Sequence, residues 1–391
     1  MIQPNVIFSV VAINVFFVDA YPVHRWVYTE EDGGTSYEFG FAFGRTFSNE
    51  IMTRLKEDPE MARLVSEFGV ASGHPLYYYF LATHEQVFPS YMDELRGISV
   101  GSGIPFDTLF VAQLKQEFTY YLNETKTEIN NILQKTDHCS DIILCQENGD
   151  IFIAHNEDAS IYDINGTVLI EARRGVNGGP AFTALVYLGQ TPTNAFGFNS
   201  NGVIFTMNKL PPKFADTQGL GRVFVARSLL DSTSFEDAVY KATKHVPMIA
   251  GHNYQIGLIH SDQVVNIEVA SFGEYKITPF KAGDKAFYHA NMYTELDVPQ
   301  ILPNPSSEHR IARYNEIISS YPVQTSEDML NVLGDQVDND YPIYHDTISH
   351  VNGDLSGYTL VTILINLQTC KISFYEDNPK FNNATFTLTI C

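Results

Sequence analysis

One short stretch constrains the fold more than any other. Cys139-Ser140-Asp141-Ile142-Ile143-Leu144-Cys145 is an apolar run, and Ile151-Phe152-Ile153-Ala154 is a second. Glu147-Asn148-Gly149-Asp150 lies between them. Asn-Gly between two apolar runs is the strongest short-range signal for a tight antiparallel hairpin. Around it the chain changes character. Before residue 139, Met52–Phe68, His84–Arg96 and Phe106–Leu122 carry helix-spaced apolar residues, and the polar stretch Asn123–Thr136 reads as an exposed loop. After it, a second hairpin is expected at Ala195–Leu210 around Ser200-Asn201-Gly202. Strands follow at 167–172, 182–188, 254–260, 264–269, 358–366, 371–375 and 385–391. Helices interrupt at about 223–230, 235–245, 307–319 and 326–333. Strand runs alternating with helix pairs predict sheets covered by helices on their outer faces.

The ends of the chain bear on where it works. Val6–Val18 is apolar except for Ser9 and Asn14, too short for a comfortable membrane span, and leads to Val18-Asp19-Ala20. Residues 1–20 are therefore expected to be a secretory signal, although no Lys or Arg precedes the apolar run. No later segment is apolar enough to span a bilayer. Three sequons, at Asn123, Asn165 and Asn383, become candidate glycan sites in an exported chain. Acidic residues number 46 against 24 basic ones. A polyanion would be repelled, so nucleic acid and anionic membranes are poor partners, and neutral or cationic small molecules suit better.

Four cysteines allow three pairings in an oxidising compartment. Six residues of strand would put Cys139 and Cys145 about 20 Å apart. A disulfide needs roughly 4.4–6.8 Å. Cys370 and Cys391, on neighbouring C-terminal strands, are the better disulfide candidates.

Conventional catalytic signatures are absent from the sequence: no HExxH, CxxC, GxSxG or phosphate loop. The twelve histidines are scattered, so neither a metal nor another cofactor is expected. The chemistry points to Cys139, at the switch from polar loop to strand. If the His138–Cys139 bond were cut, the cysteine would carry an α-amine with an unperturbed pKa of about 7.7–8. Nucleophile and general base would then sit on one residue.

At these residues the chain resembles a known family. Cys139 to Gly149, continuing to Asn156-Glu157-Asp158, is similar to the mature β-subunit start of the isopenicillin-N acyltransferase and β-alanyl-dopamine (carcinine) hydrolase family of N-terminal nucleophile cysteine hydrolases. Gly34–Gly40 with Gly44, and Glu94–Ile98 with Gly101, resemble its α-subunit. Asn199–Gly202 with Asn208, Asn253-Tyr254, His289-Ala290-Asn291, and Ser306-Ser307 with Arg310 match further patterns. The chain departs from the family in having His138 before the cysteine, Met292 after Asn291, and the aspartate one residue later than in the acyltransferases.

The resemblance implies a four-layer α/β/β/α sandwich. It implies one catalytic domain made from a light chain of about 21–138 and a heavy chain of 139–391. Cys139 would be both cleavage residue and nucleophile, Asp158 the aspartate near the new amine, Asn253 an oxyanion donor and Arg310 the arginine that completes the site. The substrate expected first is an N-β-alanyl amine. A lipid amide, acyl transfer, and a catalytically inactive exported binding homologue are the alternatives.

Overall fold

A computed structural model describes residues 24–29, 34–123, 125–135, 139–244, 247–346 and 357–390. The expected leader (1–20), His138 and Cys391 lie outside them. The described residues form two stacked sheets. The eight-stranded sheet runs His24–Tyr28, Thr167–Ala172, Phe182–Tyr187, Phe196–Asn199, Val203–Leu210, Gly251–Leu258, Val264–Val269 and Tyr275–Pro279. The six-stranded sheet runs Phe287–His289, Ser140–Cys145, Ile151–Ser160, Gly357–Asn366, Lys371–Tyr375 and Phe386–Thr389.

Strand alternation builds the layers. On Thr167–Ala172, Val168 and Ile170 join the core beneath the helices of residues 36–135, whereas Leu169 joins the core between the sheets. On the hairpin, Ile143, Cys145, Ile151 and Ile153 face between the sheets. Ile142, Leu144, Phe152 and Ala154 face the outer layer, which includes Tyr314, Met329 and Val332 from the helices Pro305–Ser320 and Ser326–Leu333. Helix, sheet, sheet and helix is the expected four-layer sandwich. Among the described residues no helix is long and apolar enough to cross a membrane.

Both predicted hairpins form, with Gly149 (φ 93°) and Gly202 (φ 84°) in left-handed conformations that tolerate no Cβ comfortably. Other expectations need correction. The long helix over 52–68 is two helices, broken at Pro59, and that over 84–96 is divided at Pro89. Proline has no N–H to donate, so it starts a new helix rather than continuing one. The polar loop at 123–136 contains the helix Lys126–Lys135. Thr125 and Glu128 cap it reciprocally, a signature hidden inside the sequon. Asn123, Asn165 and Asn383 are all exposed.

Residues on the two sides of position 138 are woven together. His24–Tyr28 pairs in parallel with Thr167–Ala172. Buried Glu94 meets buried Arg227 at 3.1 Å, and Arg54 meets Asp163 at 2.7 Å. Burial pushes the Glu94 carboxyl up to about 7, against the pull of Arg227. Within the helical layer, Ser36–Thr46 and Pro89–Ser102 touch through glycines at four-residue spacing. A Cβ on Gly97 would stand 2.1 Å from the Tyr37 carbonyl oxygen, and one on Gly40 2.0 Å from that of Glu94.

Helix propensity alone favours Gly97→Ala by about 1 kcal/mol. The close approach predicts the opposite sign, a loss of about 1–3 kcal/mol from overpacking. Urea unfolding of the two proteins decides between them, and a stabilised variant would contradict the packing.

Candidate active site

The hairpin register decides which side chains share a face. Ser140 lies opposite Asn156 and Asp141 opposite His155. The two-residue period therefore puts Asp141, His155 and Glu157 between the sheets, and Ser140, Asn156 and Asp158 toward the outer helices. Hydrogen bonds agree. Asp141 accepts from Thr206 of the opposite sheet at 2.7 Å, whereas Asn156 donates to the carbonyls of Leu333 and Ile343 on the helix side.

Cys139 stands immediately before the strand, 3 % exposed. Its thiol lies 3.9 Å from Glu157 Oε2 and 3.8 Å from the Asp158 main-chain oxygen. Its carbonyl oxygen accepts from Arg310 Nη1 at 2.6 Å. Arg310 is fully buried, and its other donors go to Ser140 Oγ, Asn291 Oδ1, Ser306 Oγ and Ser307 Oγ. The helix Pro305–Ser320 brings Ser306, Ser307 and Arg310 to one face by three- and four-residue spacing.

Asp158 shares the helix side with Arg310. Its Oδ1 accepts from Thr359 Oγ1 at 2.5 Å, and His345 Nδ1 lies 3.7 Å from Oδ2. Burial raises its pKa above the ordinary carboxylate value, although His345, Thr359 and Arg310 oppose this. The pairing thus returns Asp158 beside Cys139, but on the opposite face from the thiol. Its carboxylate and Arg310 flank the cysteine's main chain.

Asn253 lies in the facing sheet, fully buried. Both of its amide hydrogens are engaged, by Asn266 Oδ1 and by the Ile267 carbonyl. In this arrangement its amide is turned toward the neighbouring strand Val264–Val269. Asn208, its partner in the register, is buried on the same inter-sheet face, and neither end of its side chain has a hydrogen-bond partner among the described residues. Asn199 is structural, donating to the Leu230 and Ser232 carbonyls.

A charged chain not foreseen from the sequence runs behind the thiol. His155 bridges Asp141 (3.0 Å) and Glu157 (2.9 Å), and Tyr187 donates to the other Glu157 oxygen. Burial alone would lower the imidazole pKa, but the two carboxylates outweigh it and push it up to about 10. Counting in twos from Cys139 finds Asp141, and the same count on the paired strand gives His155 and Glu157. Cys139, His155 and Glu157 are near enough together to suggest a metal centre. In the structure the imidazole instead meets a carboxylate at each ring nitrogen. Cys145 is a buried free thiol, pushed up to about 11 by burial, then by Asp284. The expected Cys370–Cys391 disulfide falls on a residue outside those described.

The α/β/β/α sandwich, with a buried cysteine at the head of a central strand, is the N-terminal nucleophile hydrolase type of fold. Residues 144–381 match the family described as acyl-coenzyme A:6-aminopenicillanic acid acyl-transferase, and the chain belongs to that family. It is 25% identical over 366 residues to the Drosophila melanogaster beta-alanyl-dopamine/carcinine hydrolase, covering 88% of this chain and 92% of that protein. Among solved structures it is similar to a Caenorhabditis elegans N-acylethanolamine-hydrolyzing acid amidase ortholog. The TM-score is 0.39 at 13% identity, over 64% of this chain and 99% of the other.

The His155 imidazolium has a consequence for pH. A histidine whose folded pKa is raised stabilises the fold fully below its unfolded value near 6.5, and that contribution fades as pH rises toward about 10. Imidazole nitrogen NMR shifts are expected to report a doubly protonated ring from pH 5 to 8. A transition near 6.5 would contradict the bridge.

Proposed function

We propose that the protein is an exported amide hydrolase that cleaves itself before Cys139 and then uses that cysteine as an N-terminal nucleophile on N-β-alanyl amines. The observation that carries this reading is the setting of Cys139, whose carbonyl is held by buried Arg310 while its thiol faces Glu157. The family membership supports acyl transfer, and the name of the Drosophila relative supports the substrate.

In the uncut chain the cysteine has no free amine. Glu157 is then the nearest carboxylate to accept the thiol proton, so that sulfur can attack the carbonyl of residue 138. The 138–139 carbon–nitrogen bond then breaks as its nitrogen takes that proton back from Glu157. This gives a thioester on the Cys139 sulfur and a free α-amine. Water hydrolyses the thioester to a carboxylate on residue 138, with the thiol restored. That amine takes over as base. Asp158, on the helix side, holds it, while Arg310 fixes the adjoining carbonyl.

During turnover the amine accepts the thiol proton and sulfur attacks the amide carbonyl. Negative charge develops on the carbonyl oxygen and is met by Asn208 and main-chain amides. As the carbon–nitrogen bond breaks, the ammonium returns its proton to the leaving amine. Water, deprotonated by the same α-amine, then cleaves the thioester and releases β-alanine.

The test is a turnover panel of β-alanyl-dopamine, carcinine and N-acyl ethanolamines. The proposal expects hydrolysis of the first two and none after Cys139→Ala. Hydrolysis confined to N-acyl ethanolamines would favour a lipid-amide enzyme, and no hydrolysis by folded protein would favour a binding homologue. Asn208→Leu is expected to lower kcat by on the order of 10²–10³ with little change in KM. An unchanged kcat would remove Asn208 from the oxyanion site.

A further inference from the structure

The Glu157 carboxylate is held from two sides. Oε2 accepts from His155 Nε2 at 2.9 Å and lies 3.9 Å from the Cys139 thiol. Oε1 accepts from the Tyr187 hydroxyl. The terminal torsion of a glutamate is soft, so the His155 bond alone would let the carboxylate pivot. The Tyr187 bond stops the pivot and keeps Oε2 facing the sulfur.

Tyr187 is itself set by a residue from the other side of position 138. It ends the strand Phe182–Tyr187, in the core between the sheets. The Arg54 guanidinium lies over its ring, 5.2 Å from the centroid. Arg54 Nη1 donates at 2.9 Å to the carbonyl of Leu188, the next residue, and Nε at 2.7 Å to Asp163. Asp163 closes the turn Ile161–Asp163, which follows directly on the strand of His155 and Glu157. One side chain of the helix Ser48–Glu57 therefore grips the ends of both strands that meet at Glu157. A planar fork of donors can do this, and a lysine point charge cannot.

We infer that Tyr187 is a positioning residue that keeps Glu157 aimed at the Cys139 thiol, and that Arg54 sets Tyr187. The cysteine then becomes able to cut the chain only once the helix Ser48–Glu57 has docked. This rests on the self-cleavage reading and adds what licenses that step. The groups around Glu157 are His155 on its own strand, Tyr187 on the facing sheet and the Cys139 thiol. Asp141 lies beyond His155, and Arg54 with Asp163 beyond Tyr187. A donor bonded to a carboxylate favours its ionised form, the form that accepts the thiol proton. Losing the Tyr187 hydroxyl therefore moves the acid limb of cleavage to higher pH. After cleavage the α-amine is the base, so turnover depends less on Tyr187 than cleavage does.

The experiment uses full-length precursor from cell-free synthesis, transferred to buffers from pH 5 to 8. Cleavage before Cys139 is followed on reducing gels. Tyr187→Phe, which keeps the ring under Arg54, is expected to slow cleavage by about tenfold or more. The midpoint of its acid limb is expected to rise by about one pH unit. Its loss in kcat for β-alanyl-dopamine, once matured, should be smaller than its loss in cleavage rate. Arg54→Leu is expected to slow cleavage as well, with thermal melts to confirm folding. Arg54→Lys, which keeps the charge without the fork, takes its place if Arg54→Leu does not fold. Tyr187→Phe cleaving at the wild-type rate, or slowed with an unmoved pH profile, overturns the positioning role. A folded Arg54 variant cleaving at the wild-type rate overturns the link to the helix. Folded wild type that never cleaves defeats the self-cleavage reading itself.

Discussion

The buried guanidinium of Arg310 is the contact on which the site depends. All of its polar groups are engaged, and the shortest bond, 2.6 Å, goes to the carbonyl of Cys139. Charge-assisted hydrogen bonds of this kind are strong and directional. The guanidinium ties the helix Pro305–Ser320 to the first residue of the Ser140–Cys145 strand and, through Asn291, to the segment after Phe287–His289. A shift of that helix would move the cysteine's main chain. Lysine could not reproduce this, because it offers one charged point rather than a planar fork.

A two-residue alternation then divides the labour. Cys139 precedes a strand whose odd residues face the opposite sheet and whose even residues face the helices. The thiol meets Glu157 and the His155 imidazolium on one side, while Asp158 and Arg310 hold the main chain from the other. One strand end thus keeps the groups beside the sulfur apart from those that hold the main chain.

Much of the frame was legible in the sequence. The Asn148-Gly149 and Asn201-Gly202 hairpins, the strand 167–172 and the helix 326–333 follow from local turn chemistry and periodicity, which need no knowledge of the rest of the chain. Cys139, Asp158 and Arg310 were found through resemblance, and the structure brings them together. What was missed depended on register or distance. The edge strand His24–Tyr28 is five residues long and gains its order from a parallel partner far along the chain. His155 and Glu157 become neighbours of Cys139 only once the pairing is known. Asn253 and Asn208 are indistinguishable as letters, and only the structure shows that their hydrogen-bonding surroundings differ. The helix Lys126–Lys135 was hidden because its cap, Thr125 with Glu128, lies in a stretch read as polar loop.

The central claim is that Cys139 becomes a chain terminus. Mass spectrometry of the protein purified from a secreting host, with N-terminal sequencing of its fragments under reducing conditions, tests it most directly. Two chains are expected, the larger beginning at Cys139, and a single uncut chain for Cys139→Ala. A folded wild-type protein that remains one chain, with activity toward β-alanyl amines intact, would contradict it.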